Sequence, residues 1–134
     1  MIKISKKSQY GLRAMVYLAK NHNSLPGQKK VFSVKTISEK EGIPFDFLEK
    51  IISKLEKEKL VKGKKGIRGG YVLSRSPNKI NVKDIVSILE ENKKLVNCML
   101  CARLKKCSAK NVWLKLDDSL NKTLKSITLK DLIK

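Results

Sequence analysis

Histidine and aromatic residues are scarce in this 134-residue chain, and each scarcity excludes something. One histidine leaves no nucleophile–base pair, so catalysis is not expected. Aromatics at 5% count against a basic RNA- or ribosome-binding module, which needs exposed rings for stacking. No apolar run approaches the ~20 residues that span a bilayer. The start, Met1-Ile2-Lys3-Ile4-Ser5-Lys6-Lys7, has no hydrophobic stretch after its lysines, so no signal peptide is read. The three cysteines are an odd number, all between positions 98 and 107. They form a local cluster rather than a secreted disulfide framework, and the expected address is the cytoplasm.

What is abundant is lysine. Lys+Arg total 31 against 12 Asp+Glu, a net charge of +19, while hydrophobic residues at 41% suffice for a core. That field favours nucleic acid as partner, with an acidic membrane surface second. Residues 1–80 hold 19 cations and 6 acids, so the first part is the expected polyanion-binding half.

A helix is expected from Ser8, as cap, to Lys20, with Leu12, Met15, Val16 and Ala19 at helical spacing. Residues 22–32 read as an exposed loop. A short helix from Val34 to Glu41 with Ser33 as cap stops at Gly42, and Pro44 opens another. Its apolar face is Phe45, Leu48, Ile51, Ile52 and Leu55. Two helices meeting at a glycine-containing turn are a helix-turn-helix signature. The run Lys59–Tyr71 holds four glycines between β-prone pairs and reads as a hairpin, so the whole is a winged helix. Ser76-Pro77-Asn78 breaks the chain, and Asn81 with Asp84 caps a helix from Val82 to about Glu90. Trp113, Leu116, Leu120, Leu124 and Ile127 trace the stripe of a paired helix, and Thr128 with Asp131 caps a terminal turn. The fold class expected is mainly α with a small β-hairpin wing. A winged helix-turn-helix spans 1–80; a cysteine loop and a long dimerisation helix fill 81–134.

Lysines on a recognition helix and wing neutralise phosphates, which gives affinity without reading sequence. Lys50 and Lys54 lie one turn apart, and Asp46, Glu49 and Ser53 project from the apolar stripe towards bases. Lys64, Lys65 and Arg68 sit where a wing reaches a minor groove. No Gly-Lys-Ser/Thr follows the glycines, which argues against a phosphate loop. On spacing alone Cys98, Cys101 and Cys107, in the form C-x2-C-x5-C, divide among an iron–sulfur cluster, zinc and redox-active thiols, with buried structural cysteines least favoured in so lysine-rich a loop.

The stretches Ser8-Gln9-Tyr10-Gly11-Leu12-Arg13, Phe47-Leu48-Glu49-Lys50-Ile51 and Gly66-Ile67-Arg68-Gly69-Gly70-Tyr71-Val72-Leu73 resemble the IscR/NsrR-type regulators, the Rrf-two family. So do the segment from Pro77 to Glu90, the cysteines and Trp113, and the resemblance covers essentially the whole chain. It implies a homodimeric winged-helix transcription factor on double-stranded DNA, paired through the long helix near the C-terminus. It also implies a 2Fe-2S or 4Fe-4S cluster on the three cysteines. The family's base-reading Ser/Glu pair falls on Asp46 and Glu49, and its wing arginine on Lys65. The family's fourth ligand falls on Gln9 in one branch and Lys110 in another; the lone His22 and an exogenous donor are the other candidates. The expected function is regulation by iron–sulfur, redox or nitric oxide status. The alternative is a winged-helix regulator with zinc or no metal, controlled by thiol oxidation or a protein partner.

Overall fold

The structure, a computed structural model, describes residues 3–22, 31–67, 69–91 and 107–133. Helix α1 (Lys6–Lys20) is capped by Ser5, whose hydroxyl accepts from the Ser8 N–H, so the helix begins earlier than the expected Ser8 cap. Ser8 is instead a buried polar residue facing Glu90, and a tertiary contact has taken the place of the local one. Helix α2 (Val34–Glu41) starts at its Ser33 cap and stops at Gly42, which has φ +64°, a left-handed conformation glycine tolerates at a helix end. Pro44 then leads into α3 (Phe45–Lys57).

Helix α3 buries Leu48, Ile51, Ile52 and Leu55 against Ala14, Met15 and Leu18 of α1 and Ile37 of α2. Phe45, expected on that face, is 44% exposed. Side chains lean towards a helix's N-terminus, so the first residue of the stripe projects past the core that covers its successors. Phe47 turns inward instead, its ring edge-on to Tyr10 at 5.6 Å.

Strands β1 (Val61–Lys64) and β2 (Gly70–Leu73) form the expected antiparallel hairpin, in register Val61↔Leu73 to Lys64↔Gly70. The hairpin gains a third member that sequence reading placed in an exposed loop. Phe32 donates its N–H to Tyr71 O at 3.0 Å and accepts from Tyr71 N–H at 2.7 Å, while its ring meets Tyr17 edge-on. A 3-10 turn (Pro77–Lys79) precedes α4 (Val82–Leu89), whose capping box between Asn81 and Asp84 is complete. Helix α5 (Lys110–Ser126) and the short α6 (Leu129–Leu132) follow, the latter with a second complete box between Thr128 and Asp131. The chain's end returns to its beginning's core. Leu129 is fully buried with Ile80, Ile85 and Leu89, and its N–H bonds Ile80 O at 3.0 Å.

Candidate nucleic-acid interface

Burying one face of α3 leaves the opposite one in water. Asp46, Glu49, Lys50 and Ser53 are all exposed there, at spacings that keep them on one side of the helix. Lys54 is placed differently: half-buried, it lines an open cleft of about 570 Å³ between α3 and α4 with Glu58, Arg75, Asp84 and Glu91. The Lys7 ammonium, at 2.7 Å, holds the Glu91 carboxyl below the ordinary glutamate range, and Lys54 adds to that effect.

The wing lies along one flank of α3. A Cβ on Gly63 would come within 2.5 Å of Glu56 Oε2 and 3.2 Å of the Tyr71 ring. Burial raises the Tyr71 phenol above its ordinary pKa, and the Glu56 and Glu49 carboxylates raise it further. The exposed Glu49 carboxylate of α3 is thus near enough to the wing to act on Tyr71 through space. Neither Glu56 nor Tyr71 was legible as part of this junction, because their meeting depends on the turn after α3. That turn uses Lys59 at φ +65°, and Leu60 N–H closes it onto Leu55 O. On the wing itself Lys62, Lys64 and Lys65 are exposed, whereas Arg68 lies outside the described residues.

A second cluster sits where α1 begins and α4 ends. Glu90 Oε1 accepts from Ser5 N–H at 2.9 Å, Ser5 Oγ at 2.8 Å and Ser8 Oγ at 2.8 Å. Burial would raise the Glu90 pKa, but these three donors outweigh it and hold the carboxyl below the ordinary value. Sequence spacing gave no sign of this clasp, since its partners are 82 and 85 residues apart. From Glu91 the chain enters the segment carrying Cys98 and Cys101, both outside the described residues. Cys107, at the far end of that segment, is a free, half-buried thiol just before α5.

A family model described as Rrf2, iron-dependent transcriptional regulator, matches residues 4–134. The chain belongs to the Rrf2 family. It is 34% identical over 131 residues to the transcriptional regulator CymR of Bacillus subtilis, covering 98% of this chain and 89% of that protein. It is 31% identical over 135 residues to IscR of Cronobacter sakazakii, covering 98% and 80%. The structure of CymR, described as the global cysteine regulator of B. subtilis, superposes with a TM-score of 0.82 at 32% identity, over 99% of this chain and 97% of that one. T. potens IscR gives a TM-score of 0.80 at 35% identity, over 98% and 86%. This Rrf2 chain is thus a transcriptional regulator and not an enzyme, with the winged-helix fold expected from its sequence. No helix among the described residues is long and apolar enough to cross a membrane.

The possible metal donors divide along the molecule. Gln9 is near the start of α1, and its amide donates to Ile4 O at 2.8 Å. His22 follows the other end of α1, and its buried Nδ1 has no hydrogen-bond partner. At 1.5 Å per residue the two are about 20 Å apart, so within one chain a single centre has access to one and not both. Among the described residues no three His, Cys, Asp or Glu side chains converge on one point.

Proposed function

We propose that this Rrf2 regulator is a cytoplasmic homodimer that binds double-stranded DNA through residues 1–80. In this reading it senses iron–sulfur, redox or nitric oxide status through residues 81–134. The observation that carries the DNA half is the open face of α3 with a lysine-bearing wing along its flank. Lys50, Lys64, Lys65 and Arg68 neutralise phosphates, Lys54 doing so from the rim of its cleft. Asp46, Glu49 and Ser53 meet base edges in the major groove. The acids select cytosine amino groups there and repel misplaced phosphates.

The sensing half rests on the donor set. Cys98, Cys101 and Cys107 offer three soft thiolates within ten residues, and the free, half-buried Cys107 is an available member. That set fits a 2Fe-2S or 4Fe-4S cluster with one position left for a non-cysteine or exogenous donor. A bound cluster supplies iron that oxidants and nitric oxide attack. The iron-dependent description of the family and the likeness to IscR support this reading. A second reading, zinc or bare thiols answering to oxidation or a protein partner, is favoured by the likeness to CymR. One solved relative is described as Staphylococcus aureus CymR in an oxidized form.

The test is direct. Anaerobically purified chain is analysed for iron, sulfide and zinc, and its binding to duplex DNA is followed across a salt series. Iron and sulfide near stoichiometry support the cluster, and zinc or no metal moves the signal to the thiols. Affinity falling steeply with salt, with a shallower slope when Lys64 and Lys65 become glutamine, supports the DNA-binding surface. Binding that ignores salt and both substitutions contradicts it.

A further inference from the structure

We propose that Ile67 is a sequence-reading side chain, carried by the wing into the minor groove, where it favours A·T over G·C pairs. The inference rests on the DNA-binding reading above and adds an apolar reader to its polar contacts. Ile67 is the most exposed large hydrophobic residue described, at 107% of its reference area, so no described residue shelters it. Its position is held by the backbone. Gly69 N–H bonds Gly66 O at 2.9 Å, closing a turn with Ile67 at its first central position. The turn is pressed against the strand that carries it, since a Cβ on Gly69 would come within 2.4 Å of Lys64 O. Gly66, at φ +121°, occupies a conformation that an L side chain rarely adopts. Ile67 is therefore presented at the apex of a closed turn on a paired ribbon.

The surroundings point to a polyanion as the occupant. Lys62, Lys64 and Lys65 are exposed on the same wing, and no acid occurs from Lys59 to Ile67. A protein surface with an apolar socket would not need that charge. A narrow groove between two phosphate rows matches it, with lysines on the walls and the apex towards the floor. The floor of an A·T pair carries only acceptors at its edges, whereas a G·C pair adds the guanine N2 amino group. An aliphatic side chain laid on that amino group removes its water and returns no acceptor. Wedges of this chemistry are a recurring way to bind the minor groove.

The experiment uses the full chain and the tightest duplex it selects from a randomised pool. The pairs under the wing are then replaced by G·C, and separately by inosine·C, which lacks the N2 amino group. The intact chain is expected to bind A·T and inosine·C duplexes alike and the G·C duplex about fivefold to tenfold more weakly. Ile67→Ser is expected to reduce that ratio to less than about twofold while leaving the salt slope unchanged; Ile67→Val keeps the ratio. Unchanged melting temperatures for both variants show that folding is not involved. An unaltered ratio in Ile67→Ser, or inosine·C behaving like G·C, overturns the assignment and leaves the regulator reading intact. Failure to select any duplex overturns both.

Discussion

Ser8 is the buried polar residue among those described; its hydroxyl donates to Glu90 at 2.8 Å and accepts a longer bond from Ser5 Oγ at 3.4 Å. A hydrogen bond to a charged partner contributes about 1.5–3 kcal/mol, and the part-exposed Glu90 brings the expectation for Ser8→Ala to the lower end, ~1–2 kcal/mol. Urea titration at neutral pH measures it. The sign of the pH effect follows from the lowered Glu90 pKa. Its stabilisation is fully present above the unfolded glutamate value, about 4.3, and is lost as pH falls through the native value beneath that. Glu90→Gln is therefore expected to be less stable than the native chain at pH 7, and the difference should close as pH falls below about 4. A gap that stays constant from pH 7 to pH 3 contradicts the clasp. None of this was legible in the sequence. Ser8 reads as an ordinary helix cap until the chain's later segment supplies Glu90.

Elements whose causes are local were legible. Gly42 ends α2 in a left-handed conformation, and Asn81 with Asp84 and Thr128 with Asp131 form their capping boxes within four residues. The wing followed from four glycines between β-prone pairs. Elements that depend on distant partners were not legible. Phe32 reads as loop because its two bonds are made to Tyr71, across α2 and α3. Gly70 is the residue that allows this bridge: a Cβ there would lie 2.5 Å from the Phe32 carbonyl carbon. Gly70→Ala is therefore expected to push Phe32 off β2 and to destabilise the chain by about 1–3 kcal/mol. Lost amide protection at Tyr71, read by hydrogen exchange, is the direct check. A Cβ on Gly66 would meet nothing within 4 Å, and its φ of +121° strains any side chain only at the wing tip, so Gly66→Ala is expected to destabilise the chain while leaving that protection unchanged.

At the scale of the whole molecule, α5 has no buried residue along its 17 positions. Val112, Trp113, Leu114 and Leu120 are exposed, while Leu116 and Leu124 of the expected stripe are half-buried. A helix so open and so apolar needs a partner, and in the proposed dimer a second copy of α5 supplies it. Leu120→Asp is expected to convert a dimer into a monomer in sedimentation equilibrium, with affinity for a two-half-site duplex falling at least about tenfold. A dimer that survives the change would mean that α5 is not the pairing surface. Of the cysteine half, the sequence shows three soft donors within ten residues, and spacing alone does not say what they hold; Cys98 and Cys101 lie outside the described residues.

In the proposed function, one chain joins a DNA-reading face to a thiolate sensor. The cysteine segment runs in sequence between the Glu90 clasp and the first turn of α5, so in the proposed function its ligation state would bear on both the winged domain and the dimer helix. The most direct measurement compares duplex affinity for the anaerobically purified chain and for the same chain with Cys98, Cys101 and Cys107 all changed to serine. If the thiols govern DNA binding, the two affinities differ by about tenfold or more, a coupling of ~1.4 kcal/mol, with both proteins equally folded. Equal affinities would separate the thiols from DNA binding and contradict it.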